Sequence, residues 1–451
     1  MLRFICLIFF ATSLLAQATP STSAKNRHVI VITIDGMAAY LFDDPKSPVP
    51  NLRKLAAQGV VAEGMKVSNP SVTWPNHTTL VTGVSPLKHS VLYNGKMFPD
   101  KRGELQRNPE LDKTDLVAVP TVYDFLHPKG FRTAAVNWPC TRNAKTLDDD
   151  FPDAPDAIHF STPKLIKDLQ DEKILDDSSE KVFLDKSTTK RDDLWTDVAC
   201  YILRTRQPNY LLFHLLIVDG TQHRYGPQSP EGYEALASAD KNIGKLLDTL
   251  DKTGLRANTS IFIVADHGFE KVKKQIVSNV ILRKAGLLET ADKKARVQII
   301  SEGGTALVYF LSAKTRREDR KKVMELFKDH EGIEQVIEPK DFAQYSYPSP
   351  EKNSQMGELV LCAKPLYGFS SISAGNETII PTREGGSGSH GYLATNPKMN
   401  AVFIAAGRDI QKGKRIDVID NLDVAPTAAY LLGEKFPCDG KLLEQILIRE
   451  K

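Results

Sequence analysis

Two aspartates that follow long apolar runs of this 451-residue chain have a histidine close by in sequence. Asp219 and His223 are four apart in Asp-Gly-Thr-Gln-His-Arg-Tyr-Gly-Pro, and Asp266 and His267 are adjacent in Ala-Asp-His-Gly-Phe. A third aspartate, Asp35, closes the run His28-Val-Ile-Val-Ile-Thr-Ile-Asp35, and His390 lies in Glu384-Gly-Gly-Ser-Gly-Ser-His-Gly-Tyr392. A lone aspartate after a strand is ordinarily a turn former or a helix cap. Three of them, two with a histidine beside them, make the carboxylate and imidazole donor set that zinc takes in catalytic sites. Burying such groups together without a cation is costly. His390 has two readings: an incidental histidine on a flexible loop, or one that glycines let approach a crowded centre. That loop lacks the Gly-Lys-Ser/Thr ending of a phosphate-cradling P-loop.

The segment Asn69-Pro-Ser-Val-Thr-Trp-Pro-Asn-His77 places Thr73 ahead of a helix expected to begin near Pro75. Threonine as N-cap with proline in the first turn is a helix-start signature in its own right. The same geometry suits chemistry. Backbone N–H groups and the positive end of the helix dipole would face a bound phosphate, with the hydroxyl aimed at phosphorus. A threonine hydroxyl needs something to remove its proton before it attacks, and a metal ion can do that.

Elements that could gather these residues are visible around them. His28 to Asp35, Tyr210 to Asp219 and Ser260 to Asp266 are near-continuous apolar runs, which predicts parallel strands buried on both faces. Helical patterns at Thr121 to Leu126, Trp195 to Arg204 and Leu236 to Thr249 lie between them. The expected fold class is α/β, a doubly wound and largely parallel sheet in which ligands bind beyond the carboxyl ends of the strands. From about residue 273 to 384 the pattern changes to Thr305 to Leu311, a charged helix around Thr315 to Lys328, Ile333 to Ile337 and Gly357 to Leu361. This βαββ order predicts an inserted α+β cap, with residues 19–272 and 385–451 forming the two parts of the core. The charge run Arg316 to Lys322 reads as a solvated helix face. Strand and helix return at Ala401 to Ala406 and Val424 to Leu432.

At the N-terminus Arg3 precedes an apolar run from Phe4 to Ala16 and the triplet Ala16-Gln17-Ala18, the pattern of a cleavable secretory signal over residues 1–18. The run falls short of the roughly 20 residues a membrane span requires, so a secreted or periplasmic protein without a stable membrane anchor is expected. The net charge of +3 gives no argument for a nucleic-acid partner. Cys140, Cys200, Cys362 and Cys438 remain in the mature chain, as bridges or as free thiols. Asn76, Asn258 and Asn376 match the glycosylation pattern, the first inside the Thr73 segment.

The segments ITIDGM, TWPNHTTLVTG, LYNG, NWP, Asp219-x-x-x-His-x-Tyr-Gly-Pro, ADHG, GELVL and SHGY resemble, in order, the motifs of the nucleotide pyrophosphatase/phosphodiesterase family of the alkaline phosphatase superfamily. The resemblance runs from about His28 to Gly433. It implies two zinc ions, one held by Asp219, His223 and His390, the other by Asp35, Asp266 and His267, with Thr73 beside the second as nucleophile and metal ligand. It also implies that Asn94 donates its amide to a phosphoryl oxygen together with the Thr73 or Trp74 N–H. Small-molecule phosphate diesters would be the substrates, cleaved through a phospho-threonine intermediate. Two metals suit such an in-line displacement. One departure stands out. Where the family carries a tyrosine five residues before the metal aspartate, this chain has His214, so Trp74 and His214 are the candidate walls of the substrate pocket; Trp74 also reads as a core aromatic, and His214 as a buried strand residue satisfied by a backbone carbonyl. A phosphomonoesterase or phosphonate hydrolase of the same superfamily would need an added cation, for which Arg142, Arg224 and Arg383 lie near motif segments. A secreted metal-containing binding protein without turnover is the reading from a different class.

Overall fold

The run His28–Ile34 forms β1, which is buried along its whole length and lies inside an eight-stranded sheet. The computed structural model describes residues 25–153, 156–184, 189–288 and 294–448, and the expected signal segment lies outside the described residues. In chain order β1 is followed by β2 (Gly59–Ala62), β3 (Thr133–Val136), β4 (Asp149–Phe151), β5 (Tyr210–Leu215) and β6 (Thr259–Val264). A short strand β7 (Glu270–Val272) leads towards β8 (Val297–Ser301), β9 (Thr305–Phe310), β10 (Ile333–Ile337) and β11 (Leu359–Ala363). The chain returns through β12 (Ser387–Ser389), β13 (Phe403–Gly407) and β14 (Lys414–Ile416). The large sheet has the order β14-β2-β13-β6-β1-β5-β3-β4. From β6 to β4 every neighbour is parallel, whereas β13 runs antiparallel to both β6 and β2, so the sheet is mixed.

The helices that matter for the site are α1 (Thr73–Thr82), α2 (Lys190–Thr205), α3 (Ile217–Tyr225) and α4 (Pro230–Lys252); α5 (Arg316–Phe327) and α6 (Val424–Leu431) follow. The helical patterns around residues 195 and 236 lie within α2 and α4. The pattern at 121 is a short helix, Val122–Leu126, with Thr121 as its cap. The expected strand from Tyr210 to Asp219 is shorter than its apolar run: β5 ends at Leu215 and α3 begins at Ile217. The buried Asp192 carboxylate of α2 accepts the Leu216 and Ile217 N–H groups at 3.0–3.1 Å, which stops the strand and starts the helix.

Between β7 and β12 a separate antiparallel sheet has the order β8-β9-β11-β10, with α5 connecting β9 to β10. The βαββ pattern is present, and β8, with its polar Gln298 and Ser301, adds an edge strand to it. One face of this sheet packs into the main core; the other joins a smaller apolar cluster containing Tyr93, Phe342 and Tyr347.

Candidate metal centre and nucleophile

The ends of the parallel strands bring the three aspartates together. Asp35 follows β1 and Asp266 follows β6, its neighbour in the sheet. Asp219 and His223 are one turn apart on α3, so the helix aligns them on one face. His390 arrives from β12, which pairs with β7 just beyond His267. Glycine is required where this segment meets the cap hairpin: a Cβ on Gly391, at φ +77°, would lie 1.7 Å from the Glu302 carbonyl oxygen.

Two donor sets result. In Asp219, His223 and His390, and again in Asp35, Asp266 and His267, one ligand atom from each residue lies within 4.8 Å of the others. The two sets share a wall, because the His267 and His390 rings stack with centroids 3.8 Å apart. Each histidine turns Nδ1 to a backbone carbonyl: His223 to Gly388 at 3.2 Å, His390 to Ser71 at 3.0 Å and His267 to Gly268 at 3.1 Å. That leaves Nε2 for the site, the arrangement of a metal-ligating histidine. His223 Nε2 is 3.4 Å and His390 Nε2 3.7 Å from Asp219 Oδ1; His267 Nε2 is 3.3 Å from both Asp35 Oδ1 and Asp266 Oδ2.

The donor atoms facing one another are unsatisfied. Asp35 Oδ1, Asp219 Oδ1, Asp266 Oδ2 and His267 Nε2 are buried without a hydrogen-bond partner. Orphaned buried acceptors of this kind are expensive, and a divalent cation satisfies them. The electrostatics agree. Burial, then the Asp266 and Asp219 carboxylates, push Asp35 well above the ordinary carboxyl range. Burial also opposes ionised Asp219, but His223 and His390 outweigh it and hold that carboxyl below its usual range. Burial, then the neighbouring His267, holds His390 well below the usual imidazole range, in its neutral, ligating form. The residues present therefore fit two metal ions with nitrogen and oxygen ligands.

Thr73 is the first residue of α1, and the helix starts earlier than expected: its N-cap is Val72, with no side-chain cap bond. The start of α1 is tied to both donor sets, through the Ser71 carbonyl just ahead of the helix at His390 and through His77, whose Nδ1 donates to the Thr73 carbonyl at 2.9 Å and lies 3.7 Å from Asp266 Oδ2. Asn94 Oδ1 accepts the Trp74 N–H at 2.9 Å, so of the two backbone donors considered beside Asn94, that of Trp74 is engaged. Trp74 is 7% exposed; it packs with Val91, Leu116 and Cys140, and its indole N–H donates to Asp153 at 3.3 Å.

His214 is not a pocket wall. It is fully buried beneath Asp35, with Nδ1 2.7 Å from Thr33 Oγ1 and Nε2 3.4 Å from Asp35 Oδ2. Its strand register turns the ring into the layer supporting the site. Sequence reading assigned no role to Thr33, His77, Asp153 or Asp192; the one available signal was that His77 follows Thr73 by a helical turn. The arginines near the motifs have partners of their own: Arg142 pairs with Asp112 and lies over Phe160, while Arg224 and Arg383 both lie over Tyr225. The four cysteines are free thiols. Asn76 is wholly buried and its amide donates to the Pro70 and Val72 carbonyls, which closes that glycosylation pattern to modification in the folded chain.

A mixed α/β sheet carrying two carboxylate–imidazole clusters at its strand ends, with a cap inserted between His267 and His390, defines an alkaline phosphatase-like fold. The sequence profile of the type I phosphodiesterase / nucleotide pyrophosphatase family matches residues 29–393, and the chain belongs to that family. It is 23% identical over 436 residues to the Xenopus laevis bis(5'-adenosyl)-triphosphatase enpp4, covering 95% of this chain and 83% of the frog protein. It is 23% identical over 417 residues to human ectonucleotide pyrophosphatase/phosphodiesterase family member 1, covering 88% of this chain but only 39% of the human one. Murine ectonucleotide pyrophosphatase / phosphodiesterase 5 superposes with a TM-score of 0.71 at 17% identity, covering 94% of this chain and all of that one. An inactive threonine-to-alanine form of the mouse protein, in complex with AMP, matches equally well.

Proposed function

We propose that this chain is an exported, two-zinc phosphodiesterase that cleaves small-molecule phosphate diesters through a phospho-Thr73 intermediate. The observation that carries the reading is the pair of donor clusters with orphaned buried acceptors, set against the first turn of α1. Asp219, His223 and His390 would hold one ion; Asp35, Asp266 and His267 would hold the other, with Thr73 beside it. When bound, the ions supply positive charge for the attacking and leaving oxygens of an in-line displacement. Thr73 Oγ1 forms the new bond to phosphorus as its proton passes to solvent, while the ester oxygen departs with its electron pair. Water then breaks the Thr73–phosphorus bond and restores the hydroxyl. Asn94, held by the Trp74 N–H, keeps its amide group for a non-bridging oxygen.

The inactive threonine variant of the mouse relative supports Thr73 as nucleophile. Diesters are favoured over monoesters because the three arginines near the motifs already have partners, Arg142 in Asp112 and both Arg224 and Arg383 in the Tyr225 ring. Export is supported by the N-terminal apolar run, and among the described residues no helix is long and apolar enough to cross a membrane. Residues 19–272 and 385–451 then make up the core and 273–384 the cap.

The test is zinc content together with turnover of an aryl phosphodiester and its monoester. About two equivalents of zinc and faster diester turnover are expected. A monoester preference of about tenfold or more, some 1.4 kcal/mol in transition-state binding, would replace the phosphodiesterase reading by the phosphomonoesterase one.

A further inference from the structure

Beneath Asp35 and Asp266 lies a buried polar trio outside the two donor sets: Thr33, His77 and His214, all 0% exposed. Thr33 on β1 and His214 on β5 are register partners on adjacent parallel strands, so their side chains leave the same face of the sheet. His77 reaches them from α1, one turn after Thr73. Thr33 Oγ1 is 2.7 Å from His214 Nδ1 and 2.9 Å from His77 Nε2, and the two imidazoles meet edge to face with centroids 4.2 Å apart.

The trio has two ends. At one, His77 donates to the Thr73 carbonyl at 2.9 Å and stands 3.7 Å from Asp266 Oδ2. At the other, His214 Nε2 has no hydrogen-bond partner and faces Asp35 Oδ2 at 3.4 Å. Asp35 is therefore spanned, with Oδ1 towards His267 and Oδ2 towards His214. Buried polar side chains are costly unless hydrogen-bonded, and a hydrogen-bonded network of this kind holds its members in one arrangement. Here each end meets a carboxylate of the same donor set. His223 and His390 of the other set are oriented by the Gly388 and Ser71 carbonyls instead.

We infer that His214 and Thr33 are positioning residues for Asp35, and that His77 links the same donor set to the backbone of Thr73. Resting on the metal-centre reading proposed above, the inference assigns the trio to the Asp35, Asp266 and His267 site alone. Thr33 Oγ1 at 2.7 Å, with His77 Nε2 at 3.1 Å, orients the His214 ring through Nδ1, and the ring's Nε2 edge fixes how Asp35 presents Oδ1. Groups that orient a metal's ligands in this way typically cost about 10- to 100-fold in metal affinity when removed.

The experiment is a zinc titration of the metal-depleted full chain against a chromophoric chelator, for wild type, His214→Gln and Thr33→Val. Thr33→Val deletes only the hydroxyl while keeping a branched side chain, so it covers the case in which the histidine variant fails to fold. Wild type is expected to show two binding events. Both variants should weaken one of the two by about 10- to 100-fold and leave the other as in wild type. Both affinities unchanged in Thr33→Val and in folded His214→Gln, or both weakened equally, overturns the inference. A wild type that binds no zinc overturns the metal-centre reading itself, whatever the variants do. If His214 stacked a substrate base instead, His214→Gln would raise KM for nucleotide diesters and leave zinc affinity alone, which also overturns the inference.

Discussion

Thr73 occupies the first position of α1 while Val72 serves as the N-cap, so its hydroxyl is not engaged in capping the helix. Removing it therefore separates chemistry from stability. Thr73→Ala is expected to leave the melting temperature and the bound metal close to wild type and to lower diester turnover below about a hundredth, the scale for loss of a covalent nucleophile. Turnover measured beside metal content checks this; a variant that keeps a tenth of wild-type activity would point to direct attack by water. Thr73, Asp35, Asp219, His223, Asp266 and His267 could be singled out from residue types in short segments, whereas His390 read alone was as readily an incidental loop histidine; the fold is what brings the six candidate ligands together. His214 was undecided. Its position in the chain suited a pocket wall and a buried strand residue alike, and the choice rests on its ring direction, which is set by Thr33 across the strand pair, 181 residues away.

At the scale of elements, α3 carries the most consequence, since it aligns Asp219 with His223 only because β5 stops at Leu215. Asp192 enforces that stop. Burial outweighs its bonds to the Leu216 and Ile217 N–H groups and pushes its carboxyl up to about 6, from an ordinary 3.8. A carboxyl raised on folding adds stability that is fully present below the unfolded value and is lost as pH rises through the folded one. The window here is pH 4 to 6, and the shift corresponds to about 3 kcal/mol. Asp192→Asn keeps an acceptor oxygen and removes the charge. Its melting temperature minus that of wild type should therefore become more positive between pH 4 and pH 7, as thermal melts across that range would show; a difference that stays flat would mean Asp192 does not titrate there. The apolar run from Tyr210 to Val218 concealed this boundary. Hydrophobicity alone does not separate a buried strand from the first buried turn of a helix, and the group that separates them lies on another element.

Across the whole molecule, the donors come from four separate stretches of chain, residues 35, 219–223, 266–267 and 390, with the cap sheet between the last two. Metal binding would therefore cross-link the core strands, α3 and the segment returning from the cap. Ligands that bind only the folded state stabilise it, by about 2.7 kcal/mol at a hundred times their dissociation constant. Chelation should lower the melting temperature by several degrees and added zinc should restore it, as differential scanning calorimetry of the full chain would read out; a melting temperature indifferent to both would remove the metal centre. The sequence by itself determined the α/β class, the cap insertion and the residues at the strand ends, because burial on both faces of a strand and helical spacing are local patterns of residue type. Tertiary structure decided that β13 runs antiparallel and makes the sheet mixed, that the cap gains β8 at its edge, and that the cysteines stay unpaired. It also decided that His214 points beneath Asp35. Apart from β8, which pairs only with the next strand in the chain, each of these depends on which distant segment lies alongside and in what register, and a shift of one residue in that register would turn every side chain of a strand to the opposite face.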